Sequence, residues 1–297
     1  MKKTTTTKAP KTITRATLAG VDFELGRSAK FDRDFSRVRD ILSKPADDIT
    51  PAERLELLTI YRPAWHDSGK IEDVMSFDSS AHGCQFCRAM QAAAATEPAH
   101  ICGACYDAAQ ENRYPDTRNR HGLNMVIMMS LDYTREELAI VTAGAVNRVN
   151  SSGDTPNATY ARNMLRMAYN TPATHWAYWA KNTGAVTAAV DELGKPANMV
   201  LIQSSPIIGV PAKLARHFDY TFTVYPDEAT TAAAIEAGAM ECNGRKCKDC
   251  GFACYMGKWA PGANIAEYLR GVSKARRAEL VTRAEAIRAA ADARRTA

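Results

Sequence analysis

Eight cysteines in two sets of four constrain this chain more than any other feature. The first set is Cys84-x2-Cys87 and then, after fourteen residues, Cys102-x2-Cys105. The second is Cys242-x4-Cys247-x2-Cys250-x3-Cys254, and no cysteine lies outside the two sets. Four thiolates complete the shell of a tetrahedral metal ion or of a cubane iron–sulfur cluster, so the spacing predicts two metal sites. Disulfides are the alternative for an even count, but they are the device of small secreted domains, and this chain has 297 residues. Met1-Lys2-Lys3 and the threonine run behind it contain no apolar signal segment. A cytoplasmic protein with reduced thiols is expected.

Charge sits at the ends. Residues 1–15 carry five basic and no acidic side chains, and residues 274–297 carry seven basic against three acidic. Since the whole chain is at +5, the body between the two ends is at −4. Basic arms of this kind suit nucleic-acid phosphates, and solubilising tails look much the same. The longest apolar runs, such as Met125–Met129, are too short to span a bilayer.

Hydrophobic periodicity predicts an α/β fold. Phe31, Phe35, Val38, Ile41 and Leu42 recur at helical spacing, and Thr50-Pro51-Ala52-Glu53 is a capping box opening a second helix that stops before Arg62-Pro63. Leu123–Ser130, Leu138–Thr142, His175–Ala180, Asn198–Gln203 and Tyr220–Tyr225 read as strands. Helices are expected from Thr155-Pro156 to about Tyr169, over Ala185–Leu193 and over Asp227–Ala237, the last two closed by Gly194 and Gly238. About five strands alternating with helices predict a partial or open β/α barrel-like parallel sheet with metal-binding cysteine loops, plus helical N- and C-terminal extensions. Asn264-Ile265-Ala266-Glu267 approaches a capping box and predicts an Ala/Arg-rich helix to the end. The sections expected are a disordered basic tail at 1–20, a helical part at 21–83, the β/α core with both cysteine sets at 84–262, and a basic helix at 263–297.

For the second cysteine set, the x4, x2 spacing echoes plant-type ferredoxins and the x2, x3 spacing bacterial ones, while Cys247-Lys248-Asp249-Cys250-Gly251 also fits a zinc knuckle. Gly244, Gly251 and Gly257 supply the backbone freedom of a tight loop, and Phe252, Tyr255, Met256 and Trp259 are candidates for a dry shell. Iron–sulfur is the leading expectation there, and zinc the alternative. The first set fits either. His82 and His100, each two residues before a cysteine, are candidate replacements for a thiolate, though such histidines are more often hydrogen-bonding neighbours. The x3, x2 spacing of radical S-adenosylmethionine enzymes is absent from both sets.

Several stretches carry a likeness to a known family. They are Cys102-Gly103-Ala104-Cys105-Tyr106 with Arg113-Tyr114-Pro115 and Asn119-Arg120, the run Asn147–Asp154 ending in Ser-Gly-Asp, His175–Lys181, Asn198–Ser205, and Cys247–Gly251. Over about residues 84–258 the chain resembles the phage and plasmid family named after gene product 88. That resemblance implies a phage-type protein, hence a bacterial host cytoplasm, with a β/α core and cysteine-bound metal. It brings no established activity. It also implies that Arg148, Ser152 and Asp154 sit at a strand end facing the cysteine loops, with Arg148 and Asp154 as candidate catalytic groups.

The plainer reading is that Ser152 and Asp154 cap the following helix. Lys181 is a further strand-end candidate, and Trp176 and Trp179 should point to opposite faces of their strand. The functional expectation is a protein with two [4Fe-4S] clusters, ligated by Cys84, Cys87, Cys102 and Cys105 and by Cys242, Cys247, Cys250 and Cys254, in a redox or cluster-dependent role. The alternatives are a structural-zinc protein that binds nucleic acid through its basic ends, and a phage structural or assembly protein.

Overall fold

The structure, a computed structural model, describes residues 12–97, 99–242, 246–269 and 273–296. It opens with an antiparallel hairpin, β1 (Thr14–Leu18) and β2 (Val21–Leu25), turned through Ala19 and Gly20, both at positive φ. That two-residue turn matches the twist of the strands it joins. The stretch expected to be a tail thus pairs from Thr14 onward, while residues 1–11 lie outside the described part. Helix α1 (Ala29–Leu42) buries Phe31, Phe35, Val38 and Ile41, and α2 (Pro51–Ile60) starts on the Thr50/Glu53 capping box. Both helices stand where periodicity puts them.

Strands β3 (Ala64–His66) and β4 (Val74–Phe77) precede α3 (Gln85–Ala93), α4 (Tyr106–Arg113), α5 (Pro115–Ser130) and the short α6 (Arg135–Leu138). Then come β5 (Val146–Val149), α7 (Ala158–Asn170), β6 (His175–Ala180), α8 (Thr183–Leu193), β7 (Met199–Ser204), β8 (Tyr220–Tyr225) and α9 (Glu228–Glu236). Strands β9 (Met240–Glu241) and β10 (Asn264–Tyr268) and helix α10 (Lys274–Thr296) complete the chain. The sheet order is β3-β4-β5-β6-β7-β8-β10-β9, parallel throughout except for β3 against β4.

Four sequence expectations are corrected here. Leu123–Ser130 is the buried half of α5, not a strand, because an apolar run of that length serves a fully buried helix equally well. Leu138–Thr142 is the end of α6 and a turn, with the capping box at Thr134 and Glu137 setting the helix. Asn264–Glu267 is strand β10, seated between β8 and β9 with Ile265 and Ala266 buried. The section 21–83 holds β2, β3 and β4 besides its helices.

Alternation along β6 shows how the layers form. Trp176 and Tyr178 face the large core under α5, α7 and α8, and Ala177 and Trp179 face the other side. That second face is covered by the segment 247–259 instead of helices. The β3–β4 connection reaches across to hold it: Lys70 Nζ bonds Glu267 of β10 at 2.6 Å, and Cys247 N donates to the Lys70 carbonyl at 2.7 Å. In a flat sheet β4 and β10 would lie about 24 Å apart, more than these side chains span. The sheet is therefore strongly curled, with the second cysteine segment laid in its hollow.

Candidate functional site

The first cysteine set follows directly from the carboxyl end of β4. Glu111 of α4, with 0% exposure, organises the turn: it accepts from Ser80 Oγ at 2.9 Å, Ala81 N at 3.2 Å, His82 N at 3.1 Å and His121 Nδ1 at 3.1 Å. Buried Asp78 accepts from Ser76 Oγ at 2.5 Å, Ser151 Oγ at 2.6 Å and Ser152 N at 2.9 Å, tying β4 to the end of β5. Gly153, at φ 72°, lets that turn pass so close to Ser79 that a Cβ would stand 2.4 Å from the Ser79 carbonyl oxygen. The strand ends, where ligands of open α/β sheets bind, are thus rigidly interlocked.

Cys84 begins α3, Cys102 lies in the short turn Ile101–Ala104, and Cys105 precedes α4. A hydrogen bond with Cys87 holds the Cys84 thiol low, and the same bond with burial pushes Cys87 well up. Burial lifts Cys102 to about 11 and also raises Cys105. Burial lowers the Lys181 ammonium, but Asp154 and the thiols of Cys102, Cys87 and Cys105 outweigh it and leave it raised. Cys84 and Cys87 are thus hydrogen-bonded to each other, and the charge of Lys181 acts on Cys87, Cys102 and Cys105. His82 Nε2 bonds the Ala108 carbonyl at 3.0 Å, and His100 Nδ1 accepts from Cys102 N at 3.2 Å, so both histidines serve turns.

In the second set, Cys242 leaves β9 with its N–H on the Ala266 carbonyl at 2.8 Å, and Cys247–Cys250 forms a single tight turn. Gly251 and Phe252, at φ 62° and 53°, reverse the chain, and Phe252 N returns to the Cys247 carbonyl at 3.0 Å. All four cysteines are among the residues lining one cavity of about 80 Å³, with Lys70, Arg148, Trp179, Tyr255, Trp259 and Glu267. Burial pushes Cys254 to about 12 and raises Cys247, with Arg148 opposing both. All eight cysteines are free, and among the described residues no group of three or more His, Cys, Asp or Glu is placed to hold a metal ion. The metal-binding loops expected from spacing are not shown. What is shown is a shared cavity at one set and a hydrogen-bonded Cys84–Cys87 pair at the other.

Other candidates are redistributed. Arg148 lies mid-strand in β5, its guanidinium 4.3 Å from the Trp179 ring centroid in the hollow of the sheet. Asp154 does not cap α7; Asn157 does, accepting from Tyr160 N at 2.9 Å. Asp154 instead receives Thr155 N at 2.7 Å, Lys181 N at 2.9 Å and Asn182 N at 3.3 Å, locking the ends of β5 and β6 together. Ser152 caps nothing either, since its hydroxyl is buried without a partner among the described residues. Trp176 and Trp179 do point to opposite faces, Trp176 against Phe77 at 4.7 Å and Trp179 against Tyr255 at 5.1 Å. Of the expected dry shell, Tyr255 and Trp259 line the cysteine cavity, and Met256 faces Pro172–His175.

Sequence reasoning missed Asp78, Asp107, Glu111 and His121. Burial raises Asp107 to about 6, with Asp78 adding to the rise and Arg148 and Lys181 opposing it. The available signal was the i, i+4 spacing of Asp107 and Glu111 just after Cys105, which puts both on one helix face.

At the basic C-terminus, α10 packs Leu280 with Ala99, Ile208 and Leu269, and Arg283 bonds Glu97 at 2.6 Å. Among the described residues no helix is long and apolar enough to cross a membrane. The family model described as gene product 88 matches residues 42–260. No curated protein and no solved structure matches the chain.

Proposed function

This chain belongs to the gene product 88 family, and on that premise we propose that it is an iron–sulfur protein of phage or plasmid type. Cys242, Cys247, Cys250 and Cys254 would hold one [4Fe-4S] cluster, and Cys84, Cys87, Cys102 and Cys105 a second. The observation that carries the reading is the single cavity that all four cysteines of the second set line. Its donor chemistry suits a soft metal centre, and thiolate sulfur is the ligand such clusters take. When bound, a cluster supplies one-electron chemistry.

The chain's own residues prepare the place for it. Arg148 and Lys70 set positive charge against the Cys247 thiol, while Trp179, Tyr255 and Trp259 limit water in the cavity. Because burial keeps Cys247 and Cys254 protonated, metal loading must release protons, and uptake should weaken as pH falls.

The test is anaerobic purification followed by iron, sulfide and zinc analysis, visible absorption and paramagnetic resonance. About eight iron and eight sulfide per chain are expected, as two four-iron clusters require. Cys254→Ser should lose about half of each. A colourless protein with stoichiometric zinc, or with no metal, overturns the proposal.

A further inference from the structure

We infer that Arg148 is the charge-balancing residue of the second cysteine set, setting how readily the centre held there accepts an electron. The inference rests on the iron–sulfur reading above and concerns a residue outside the ligand set. Three observations carry it.

First, the Arg148 side chain lines the same cavity as Cys242, Cys247, Cys250 and Cys254. Secondly, its Nε is buried with no hydrogen-bond partner among the described residues. Buried N–H donors are nearly always paired, and although the guanidinium meets the Tyr255 hydroxyl, Nε itself is left open to a further acceptor, which the sulfur of a metal-bound thiolate or sulfide can be. Thirdly, the other cations of the cavity wall are each ion-paired with a carboxylate, Lys70 with Glu267 at 2.6 Å and Lys246 with Glu72, so the charge of Lys70 is shared between Glu267 and the thiols.

The local structure holds Arg148 to that task. Strand alternation sends Val146 and Arg148 into the hollow and Asn147 and Val149 to other surroundings. Trp179, on the same face of β6 and two residues beyond Ala177, the register partner of Arg148, presents its ring face to the guanidinium 4.3 Å away and fixes its plane. The titratable groups around it are Asp78 just after β4, Asp107 from α4, and Tyr255 and Cys247 from the segment that fills the hollow. Arginine stays protonated at any working pH, so its charge is constant.

A four-thiolate centre is already negative, and one added electron makes it more so. A fixed positive charge beside it stabilises the reduced form more than the oxidised form. Removing that charge should make reduction harder.

The experiment uses the full chain with Cys102→Ser and Cys105→Ser, so that the second centre is read alone. Arg148→Met and Arg148→Lys are compared for iron and sulfide content and by redox titration followed in the visible spectrum. Arg148→Met is expected to lower the reduced-to-oxidised ratio at a given potential about tenfold, about 59 mV for a one-electron couple. Arg148→Lys should stay close to the parent. Equal shifts in both variants, or no shift in either, overturn the inference while leaving the cluster reading intact. If Arg148→Met retains no iron, Arg148→Lys decides: iron with the parent midpoint supports the inference, and loss of iron overturns it. A wild-type protein without iron removes both readings together.

Discussion

The residues that hold the strand ends in place are carboxylates buried among backbone N–H groups and a histidine. Glu111 serves four donors, and His121 is one of them. Burial lowers the His121 imidazole, but the Glu111 hydrogen bond and the charges of Asp78, Glu111 and Asp107 outweigh it and leave it above 6.5. A histidine raised in the folded state contributes stability that is fully present below 6.5 and lost as pH rises through its folded value. Urea unfolding at a series of pH values should show stability falling upward from 6.5, and His121→Gln should flatten that slope. Identical slopes in the two proteins would mean that the Glu111 contact does not hold the proton. None of this could be read from spacing alone: a histidine ten residues after a glutamate acquires its meaning only when α4 and α5 pack. The cysteines were legible because four thiols at short spacing are unusual whatever surrounds them.

At the scale of elements, legibility followed amphipathicity. Helices α1 and α2 each have one buried side and a capping residue, so period and cap agree. Helix α5 buries Leu123 through Met128 consecutively, which erases the period that separates helix from strand. Strand β10 was read as a helix start because Asn264 and Glu267 imitate a cap, while its pairing with β8 is set by residues more than forty positions away. Helix α10 carries a prediction of its own. It buries Leu280 and Ala284 and bonds Glu97 just ahead of the Cys102 turn. Deleting residues 273–297 should expose Ala99, Ile208 and Leu269 and speed amide exchange across 99–105, while β6 and β7 stay protected. Unchanged exchange at 99–105 would show that α10 does not brace the first cysteine set.

For the whole molecule, the two faces of the sheet are sealed by different means. The helix side has a continuous core of large residues, including Phe77, Trp176 and Tyr178, and does not depend on the second cysteine segment. The hollow side has fewer apolar contacts and the cysteine cavity. If that cavity holds a cluster, chelating the iron should lower the unfolding midpoint and hasten proteolysis within 246–259, leaving the hairpin and α5 resistant. A midpoint indifferent to metal removal would mean the cysteines contribute no fold stability. The α/β class, the first two helices, three of the parallel strands and the eight-cysteine pattern were set by the sequence itself, because local periodicity and thiol spacing do not need a partner to be recognised. The curl of the sheet, the strand β10, the carboxylate Glu111 beneath the first set and the arginine in the hollow of the second were decided by tertiary structure alone. Each depends on segments distant in the chain meeting to bury charge and apolar surface together, and no local pattern encodes that meeting.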